Sequence, residues 1–177
     1  KLGERKESMA RLRCRQTLAI EQALYRYCRA IDRCDWELLR SCYHPGAIDE
    51  HGLYNGDIDG FIEWLQLQLP KYDMTMHITG NVLVEFKGRR VAQVESYCLA
   101  YHRSRADGQP IDRVIGVRYI DEFTRVSGKW RIKHRRCLYD LGRIDPVKGA
   151  ERALGPAYRR GVHGPADESY PAMRVSD

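Results

Sequence analysis

The spacing of apolar residues changes near Pro70, and this change constrains the fold more than any other feature of the chain. Before Pro70, apolar side chains recur every three or four residues, as in amphipathic helices. After it they alternate with polar side chains, as in strands. Helices followed by strands, without β-α-β alternation, favour an α+β fold over a doubly wound one.

Three helices are predicted in the first half of the chain, over residues 17–31, 36–43 and 61–69. Asp35 is placed to cap the second helix, and Asp57 or Asp59 the third, because an aspartate side chain accepts the free amide protons of a first turn. A short extended segment over residues 47–51 is predicted between the last two helices.

Four strands are predicted after Pro70, over residues 74–86, 91–102, 111–126 and 129–140. The turns between them are short, so the strands should form an antiparallel meander. Because the strands are long, the sheet is expected to curve as a cone around the N-terminal helices and to leave one pocket at its open end. We divide the chain into three parts: a charged arm (1–15), a domain (16–141) and a Gly/Pro-rich tail (142–177).

Composition limits the cellular setting and the partners. The 177 residues, 43% of them hydrophobic, suffice for one core. The sequence lacks an apolar run long enough to span a membrane, and the first 15 residues lack the apolar segment of a secretory signal. We therefore expect a cytoplasmic protein without membrane contact.

The basic residues suggest no nucleic-acid partner. The net charge is +6, but these residues are spread over the arm, a turn, the last strand and the tail, without a nucleic-acid-binding motif. The six cysteines form no C-x-x-C pair, and no Gly-rich phosphate loop is present. Neither a metal nor another cofactor is predicted.

Two titratable residues occupy unusual positions. Asp32 ends an apolar helix, where a carboxylate opposes the helix dipole. His77 is predicted on the polar face of its strand with Thr75, Thr79 and Asn81, opposite the apolar set Met74, Met76, Ile78, Val82, Val84 and Phe86. An aspartate bound to one imidazole nitrogen makes the other a better base toward a C–H proton.

Spacing alone leaves open whether Asp32 and His77 meet. Asp32 can instead pair with the neighbouring Arg33, and His77 can be an ordinary hydrogen-bonded histidine of a strand. This alternative, in which the two residues do not form a site, is the more common one for isolated titratable residues.

Three blocks of the sequence resemble a known family. They are YRYCRAIDRCDWELL at 25–39, MHITGNVLVEF at 76–86 and GVRYIDEFTRVSGKWRIKHRR at 116–136. Their order and separation are similar to those in the SnoaL-like branch of the nuclear transport factor 2-like superfamily, a branch similar to scytalone dehydratase, bile-acid dehydratase and hexachlorocyclohexane dehydrochlorinase. The resemblance covers about residues 16–141 and implies the cone-shaped α+β fold.

The resemblance also implies roles for particular residues. In catalytic members an Asp at the end of the first helix pairs with a His on the first long strand, and the His removes a proton; Asp32 and His77 match these positions. Tyr27 matches a tyrosine of the dehydratases that would act as acid or hydrogen-bond donor. Arg135 matches, less closely, an arginine that lies near the pocket in some members.

A lining for the pocket follows from alternation around these anchors. It comprises Tyr97, Leu99, Tyr101, Ile115, Val117 and Tyr119. Separately, the resemblance implies that the short segment after the second helix brings Asp49 or His51 to the pocket mouth. Simple core packing is an equal alternative for Leu99, Ile115 and Val117. By the same alternation His102 should face away from the pocket.

The resemblance implies a cofactor-independent dehydratase-like lyase or an isomerase. Its substrate would be a small hydrophobic molecule, cyclic and polyketide-, steroid- or aromatic-like. The alternative is a non-catalytic module, either a ligand-binding pocket or a small scaffold subunit such as those of aromatic-ring oxygenases. A homo-oligomer, dimer or trimer, formed through the sheet is also implied.

Overall fold

The computed structural model describes residues 2–147, 158–173 and 175. Its helices are α1 (Leu2–Arg33), α2 (Trp36–Ser41), α3 (Ile58–Gln68) and the short α4 (Ser169–Ala172), with a 3-10 turn at Leu69–Lys71. Asp35 caps α2 by accepting the Leu38 amide at 3.0 Å, and Asp57 rather than Asp59 caps α3 by accepting the Gly60 amide at 2.8 Å. None of the helices in the described part is both long and apolar enough to cross a membrane.

Helix α1 is about twice as long as predicted because the charged arm continues it. Residues 2–16 are rich in Glu, Lys, Arg and Leu, which favour helix without producing an apolar stripe. Glu7 and Arg11 form an ion pair one turn apart, which adds a little stability. The sequence pattern therefore identified only the half of α1 that is buried.

Six strands form one curved, open sheet in the order β2-β1-β6-β5-β4-β3. They are β1 (Tyr43–Glu50), β2 (Asn55–Asp57), β3 (Met74–Phe86), β4 (Val91–Ala106), β5 (Gln109–Val126) and β6 (Lys129–Pro146). Strands β3 to β6 form the antiparallel meander that the sequence predicts. The parallel pairing of β1 with β6, and the β1–β2 hairpin, were not predicted, since Pro45 and Gly46 interrupt the apolar pattern of β1.

The core lies between α1 and the concave face of the sheet. The stripe predicted on α1 is buried there, against alternate residues of β4, β5 and β6, among them Ile20, Leu24, Ile31, Val94, Phe123 and Ile132. Residues 138–146 of β6 are exposed on both faces, and for this reason their strand structure has no readable pattern.

The described part of the tail packs on the end of α1. Gly164 donates its amide to the carbonyl of Arg33 at 2.6 Å, and Tyr170 donates its hydroxyl to Asp35 at 2.9 Å. Arg29 donates to the Ser169 hydroxyl at 3.0 Å and lies over the ring of Tyr170. Part of the segment predicted as a tail is therefore attached beside Asp32.

A bulge in β3 overturns one sequence prediction. The apolar set from Met74 to Phe86 does not share a buried face, because the register with β4 shifts between Gly80 and Leu83. Met76 and Ile78 are 42% and 50% exposed, whereas the apolar residues after the bulge (Val82, Val84, Phe86) pack against the core. Because of the extra residue in the bulge, odd-numbered residues face inward before it and even-numbered residues face inward after it.

The bulge predicts a matched pair of variants at Asn81, whose φ is +49°. Valine is strained in this left-handed region while glycine is not, so Asn81→Val should lose about 1–2 kcal/mol of unfolding free energy and Asn81→Gly much less. Urea unfolding of both variants measures the difference. Equal losses would mean that backbone conformation at Asn81 does not maintain the bulge.

Candidate active site

Asp32 and His77 are in direct contact. The Nδ1 atom of His77 lies 2.7 Å from Oδ1 of Asp32, and the His77 backbone N–H donates to Oδ2 at 2.9 Å. The Thr75 hydroxyl donates to Oδ1 at 3.1 Å. A carboxylate that is 7% exposed is thus held by three donors, all of them from β3.

This contact fixes the orientation of the imidazole. An ionised carboxylate only accepts hydrogen bonds, so the proton of a neutral His77 belongs on Nδ1 and its Nε2 is left as an acceptor. The position of Asp32 depends on how α1 ends: Cys34 adopts φ +52°, and the Asp35 amide donates to the Ala30 carbonyl at 2.9 Å. The chain therefore turns immediately after the carboxylate has reached β3.

A cleft of about 400 Å³ lies between α1 and β3 at this contact. Its size is within the range of small-molecule sites. The residues around it are Tyr25, Cys28, Arg29, Asp32, Arg33, His77, Ile78 and Thr79. Two of them, Arg29 and Arg33, are held by the tail contacts described above, so the tail helps to shape the cleft wall.

His102 was predicted to face away, and this prediction is wrong. In the register of the sheet it lies opposite Thr75 and Arg113, and its ring is 5.3 Å from that of His77 in an edge-to-face arrangement. Burial, helped by His77, lowers the pKa of His102 to about 4. Its Nδ1 is buried and has no hydrogen-bond partner among the described residues.

The error at His102 arose from the parity assigned to β4. Tyr97, Leu99 and Tyr101 were expected in the pocket, but they pair with Gly80, Ile78 and Met76 on the outer face. Tyr97 and Leu99 are 45% and 42% exposed. The inward residues opposite this part of β3 include Cys98, Ala100 and His102, so knowledge of the His77–Ala100 pairing would have located the histidine.

The remaining predicted lining residues face inward. Val117 and Tyr119 are buried in the core, and Ile115 packs against it. None of the three is among the residues around the cleft. Tyr119 belongs to a second, polar group, described next.

Arg135 is fully buried and forms a bidentate ion pair with Asp121, at 2.8 and 2.7 Å. Its guanidinium lies between the rings of Tyr27 and Tyr119, at 4.2 and 3.9 Å from their centroids. Burial disfavours its charge, but Asp121 holds the pKa of Arg135 above its ordinary value. Burial raises the pKa of Tyr27, so this phenol keeps its proton.

Asp49 and His51 form a second carboxylate–imidazole contact. Nδ1 of His51 lies 3.0 Å from Oδ1 of Asp49, which is completely buried and accepts a hydrogen bond from the Tyr43 hydroxyl at 2.5 Å. The His51 ring packs against Phe61 and Tyr119, with centroids 5.1 and 5.8 Å away. Within the described ranges, no three His, Cys, Asp or Glu side chains are grouped as metal ligands.

The low pKa of His102 predicts a pH dependence of stability. The folded-state pKa, about 4, is below the ordinary value of 6.5, so the unfolded chain binds the proton more readily. This contribution is present above pH 6.5 and is lost as the pH falls toward 4; it amounts to something on the order of 3 kcal/mol. The groups that set this pKa beside burial are His77, Asp32, Arg113 and His51.

We expect His102→Gln to reduce the pH dependence of unfolding free energy between pH 7 and pH 4.5, measured by urea denaturation. His134→Gln, at a histidine that is 41% exposed and bonded to Glu50, is the matched control and should retain the wild-type slope. A slope unchanged by His102→Gln would contradict the buried, neutral state of this residue.

Comparisons with known proteins agree with this architecture. The model of the SnoaL-like domain family matches residues 13–136. A scytalone dehydratase-like protein of Novosphingobium aromaticivorans has 20% identity and a TM-score of 0.68, over 78% of this chain and 97% of that one. A hexachlorocyclohexane dehydrochlorinase, LinA-type3, of Novosphingobium barchaimii has 19% identity and a TM-score of 0.65, over 80% and 95%.

A Mycobacterium tuberculosis protein of unknown function has 22% identity and a TM-score of 0.65, over 74% of this chain and 75% of that one. No curated protein matches the sequence. At these identities the structural neighbours establish the fold alone, whereas the family model spans most of the chain. The chain therefore belongs to the SnoaL-like domain family, within the nuclear transport factor 2-like superfamily.

Proposed function

We propose that this chain is a cofactor-independent lyase of the dehydratase type, or an isomerase, with His77 as its general base. The observation that carries the proposal is the Asp32–His77 contact at a cleft of ligand size. Nδ1 of His77 is occupied by the carboxylate, so its Nε2 is free to accept a proton. The dehydratase and dehydrochlorinase neighbours support an elimination, since both names denote loss of a small molecule from a carbon framework.

The proposed step is a β-elimination. His77 Nε2 takes a proton from the carbon next to a carbonyl group, and the C–H electron pair forms the new C=C bond. The hydroxyl on the next carbon leaves with a proton as water. Asp32 stabilises the imidazolium that forms, because three hydrogen bonds hold its carboxyl group against β3 with one oxygen aligned on Nδ1.

Groups deeper in the fold are proposed to act on the polar atoms of the substrate. Tyr27, protonated because it is buried, would donate to the leaving hydroxyl or to a carbonyl. Arg135 would stabilise negative charge that develops near Tyr27, whose ring it contacts. Asp49 and His51 would contact a further polar group of the substrate.

The aromatic surroundings favour a cyclic, apolar substrate. The ring of Phe61 contacts three other rings, with centroid distances of 5.1 to 6.1 Å. They belong to His51, Tyr54 and Trp64. A cyclic substrate bound next to His51 would add a further ring contact to this group. Ile115, Val117 and Tyr119 would provide the rest of the apolar wall.

The role of His77 predicts a large rate loss in His77→Ala. We suggest a panel of cyclic β-hydroxy ketones that includes 3-hydroxy-1-tetralone, whose dehydration gives fluorescent 1-naphthol. Loss of a general base should lower the rate by about 10²- to 10⁴-fold. Asp32→Asn should act in the same direction, because it removes the charge that orients the imidazole.

His134→Ala is the matched control for this assay, since it removes a half-exposed histidine that does not line the cleft. Circular dichroism of each variant separates loss of activity from loss of folding. A His77→Ala rate equal to that of a wild type active on the panel would contradict His77 as the base, and the non-catalytic binding or scaffold module would then be favoured.

The outer face of the sheet supports the proposal of a homo-oligomer. Ile78, Leu99, Gly116 and Leu141 are cross-strand neighbours on β3 to β6, and the three large side chains are 50%, 42% and 57% exposed. We call these four residues the outer apolar band. A band of this kind is unusual on a surface that is not an interface.

A second copy of the chain fits the outer apolar band better than a charged partner does. Arginines near the band are already neutralised: Arg118 binds Asp140 through two hydrogen bonds, and Arg143 pairs with Asp145. Two copies would therefore not repel each other at this face despite the net charge of +6.

The band predicts that Leu99→Lys lowers the oligomer size measured by sedimentation velocity. A buried lysine without a partner disfavours association, whereas Leu53→Lys, at a leucine that is 88% exposed and outside the band, should have no effect. A monomeric wild type, or a Leu99→Lys variant of unchanged size, would rule out self-association through this face. Copurification with a larger protein instead would favour the scaffold-subunit alternative.

A further inference from the structure

A second cavity lies at the opposite end of the sheet from His77. It has a volume of about 740 Å³ and is enclosed by α1, the β3–β4 turn and the β5–β6 turn. It lies near the other end of β3 from the candidate active site, since the ten residues from His77 to Phe86 span roughly 30 Å in extended chain. Nothing in the proposed elimination uses this cavity.

Four arginines from three separate segments line the cavity: Arg13, Arg89, Arg90 and Arg125. Its described lining contains no Asp or Glu, and none of the four forms an ion pair with a described carboxylate. Arg118 and Arg135, by contrast, each bind an aspartate through two hydrogen bonds. A concave surface with four unneutralised guanidiniums creates a strong positive potential that attracts anions.

The two turns hold these arginines in a defined arrangement. The Arg125 amide donates to the Arg90 carbonyl at 2.8 Å, which links the β5–β6 hairpin to the β3–β4 hairpin. The Arg125 side chain donates to the Gly128 carbonyl at 3.2 Å. Gly88 and Gly128 adopt φ values of +100° and +85° in these tight turns. Glycine adopts such values without strain because it has no Cβ atom. The site therefore rests on hairpin backbone and not on a loose surface loop.

Apolar side chains complete the lining. Met9, Leu12 and Val126 are 54%, 42% and 49% exposed, and Phe86 lies beside them. These side chains would be covered by the hydrocarbon part of a ligand while the guanidiniums bind its charged group. The lining is thus suited to an amphipathic molecule and not to a simple inorganic ion.

We propose that this arginine-lined cavity binds a small organic anion with a carboxylate or phosphate group and an apolar body. The volume is in the range of small-molecule sites, about 300–1,000 Å³. A nucleic acid would instead need an extended basic track, and other arginines of the described surface, such as Arg103 and Arg118, are paired with carboxylates. A concave site at one end of the molecule favours the small anion.

The proposal is tested by isothermal titration calorimetry of the full chain with octyl phosphate and with octanoate. Octanol, inorganic phosphate and a single-stranded DNA oligonucleotide are the comparison ligands. We expect octyl phosphate or octanoate to bind more tightly than all three. Arg89→Gln/Arg90→Gln should weaken this binding about tenfold or more, because charge-assisted hydrogen bonds are lost.

Arg40→Gln/Arg105→Gln is the matched control, since it removes the same net charge at arginines that pair with Asp59 and Asp73 away from the cavity. It should bind octyl phosphate like the wild type. Leu12→Ser should weaken octyl phosphate but not inorganic phosphate, which tests the apolar half of the site.

Four results would overturn the proposal: no binding of either amphiphile, equal loss in both double variants, inorganic phosphate as tight as octyl phosphate, or DNA as the tightest ligand. The two proposals fail independently. Arg89→Gln/Arg90→Gln should leave any elimination activity unchanged, and His77→Ala should leave anion binding unchanged.

Discussion

The Asp32 carboxylate joins the end of α1 to the start of β3, and the geometry of the cleft depends on this junction. Its two oxygens accept three hydrogen bonds, from the Thr75 hydroxyl, the His77 amide and the His77 ring. A buried carboxylate without such donors would cost several kcal/mol, so the helix end and the strand cannot separate without exposing it to water. The same bonds that stabilise the junction also orient the His77 ring and favour a proton on its Nδ1.

The interior of the sheet contains a fully buried ion pair and a further buried carboxyl group. Asp49 and Asp121 are completely buried, and Arg135 is the buried cation that binds Asp121. Buried ion pairs contribute little net stability, because desolvation offsets most of their attraction. The chain nevertheless surrounds this group with the phenols of Tyr27, Tyr43 and Tyr119. The guanidinium thus has two aromatic faces and one carboxylate as its partners, which offset part of its desolvation.

The helices and long strands were predictable because the spacing of apolar residues is a local property of the sequence. Which face of a strand is buried, and which residues pair across strands, depend on contacts between distant segments and were not predictable. The buried stripe of α1 and the limits of β3 follow from the spacing of apolar residues. The inward placement of His102 depends on which β4 residue pairs with His77, and β4 carries apolar or aromatic residues on both faces. The arginine-lined cavity was also not predictable from the sequence. Arg13, Arg89 and Arg125 are far apart along the chain, and only the fold brings α1 and the two hairpins together.

The bulge at Asn81 resolves a conflict within the sequence of β3. In a regular strand Val82, Val84 and Phe86 would share a face with Met76 and Ile78, opposite His77. Burying the apolar side chains would then direct His77 to the outer face, away from Asp32. One extra residue reverses the parity, so His77 and Thr75 face α1 in the first half of the strand while Val84 and Phe86 face the core in the second. The bulge thus allows one strand to provide both a polar site and part of the apolar core. It also leaves Met76 and Ile78 on the outer face, where Ile78 is part of the band proposed to contact a second copy.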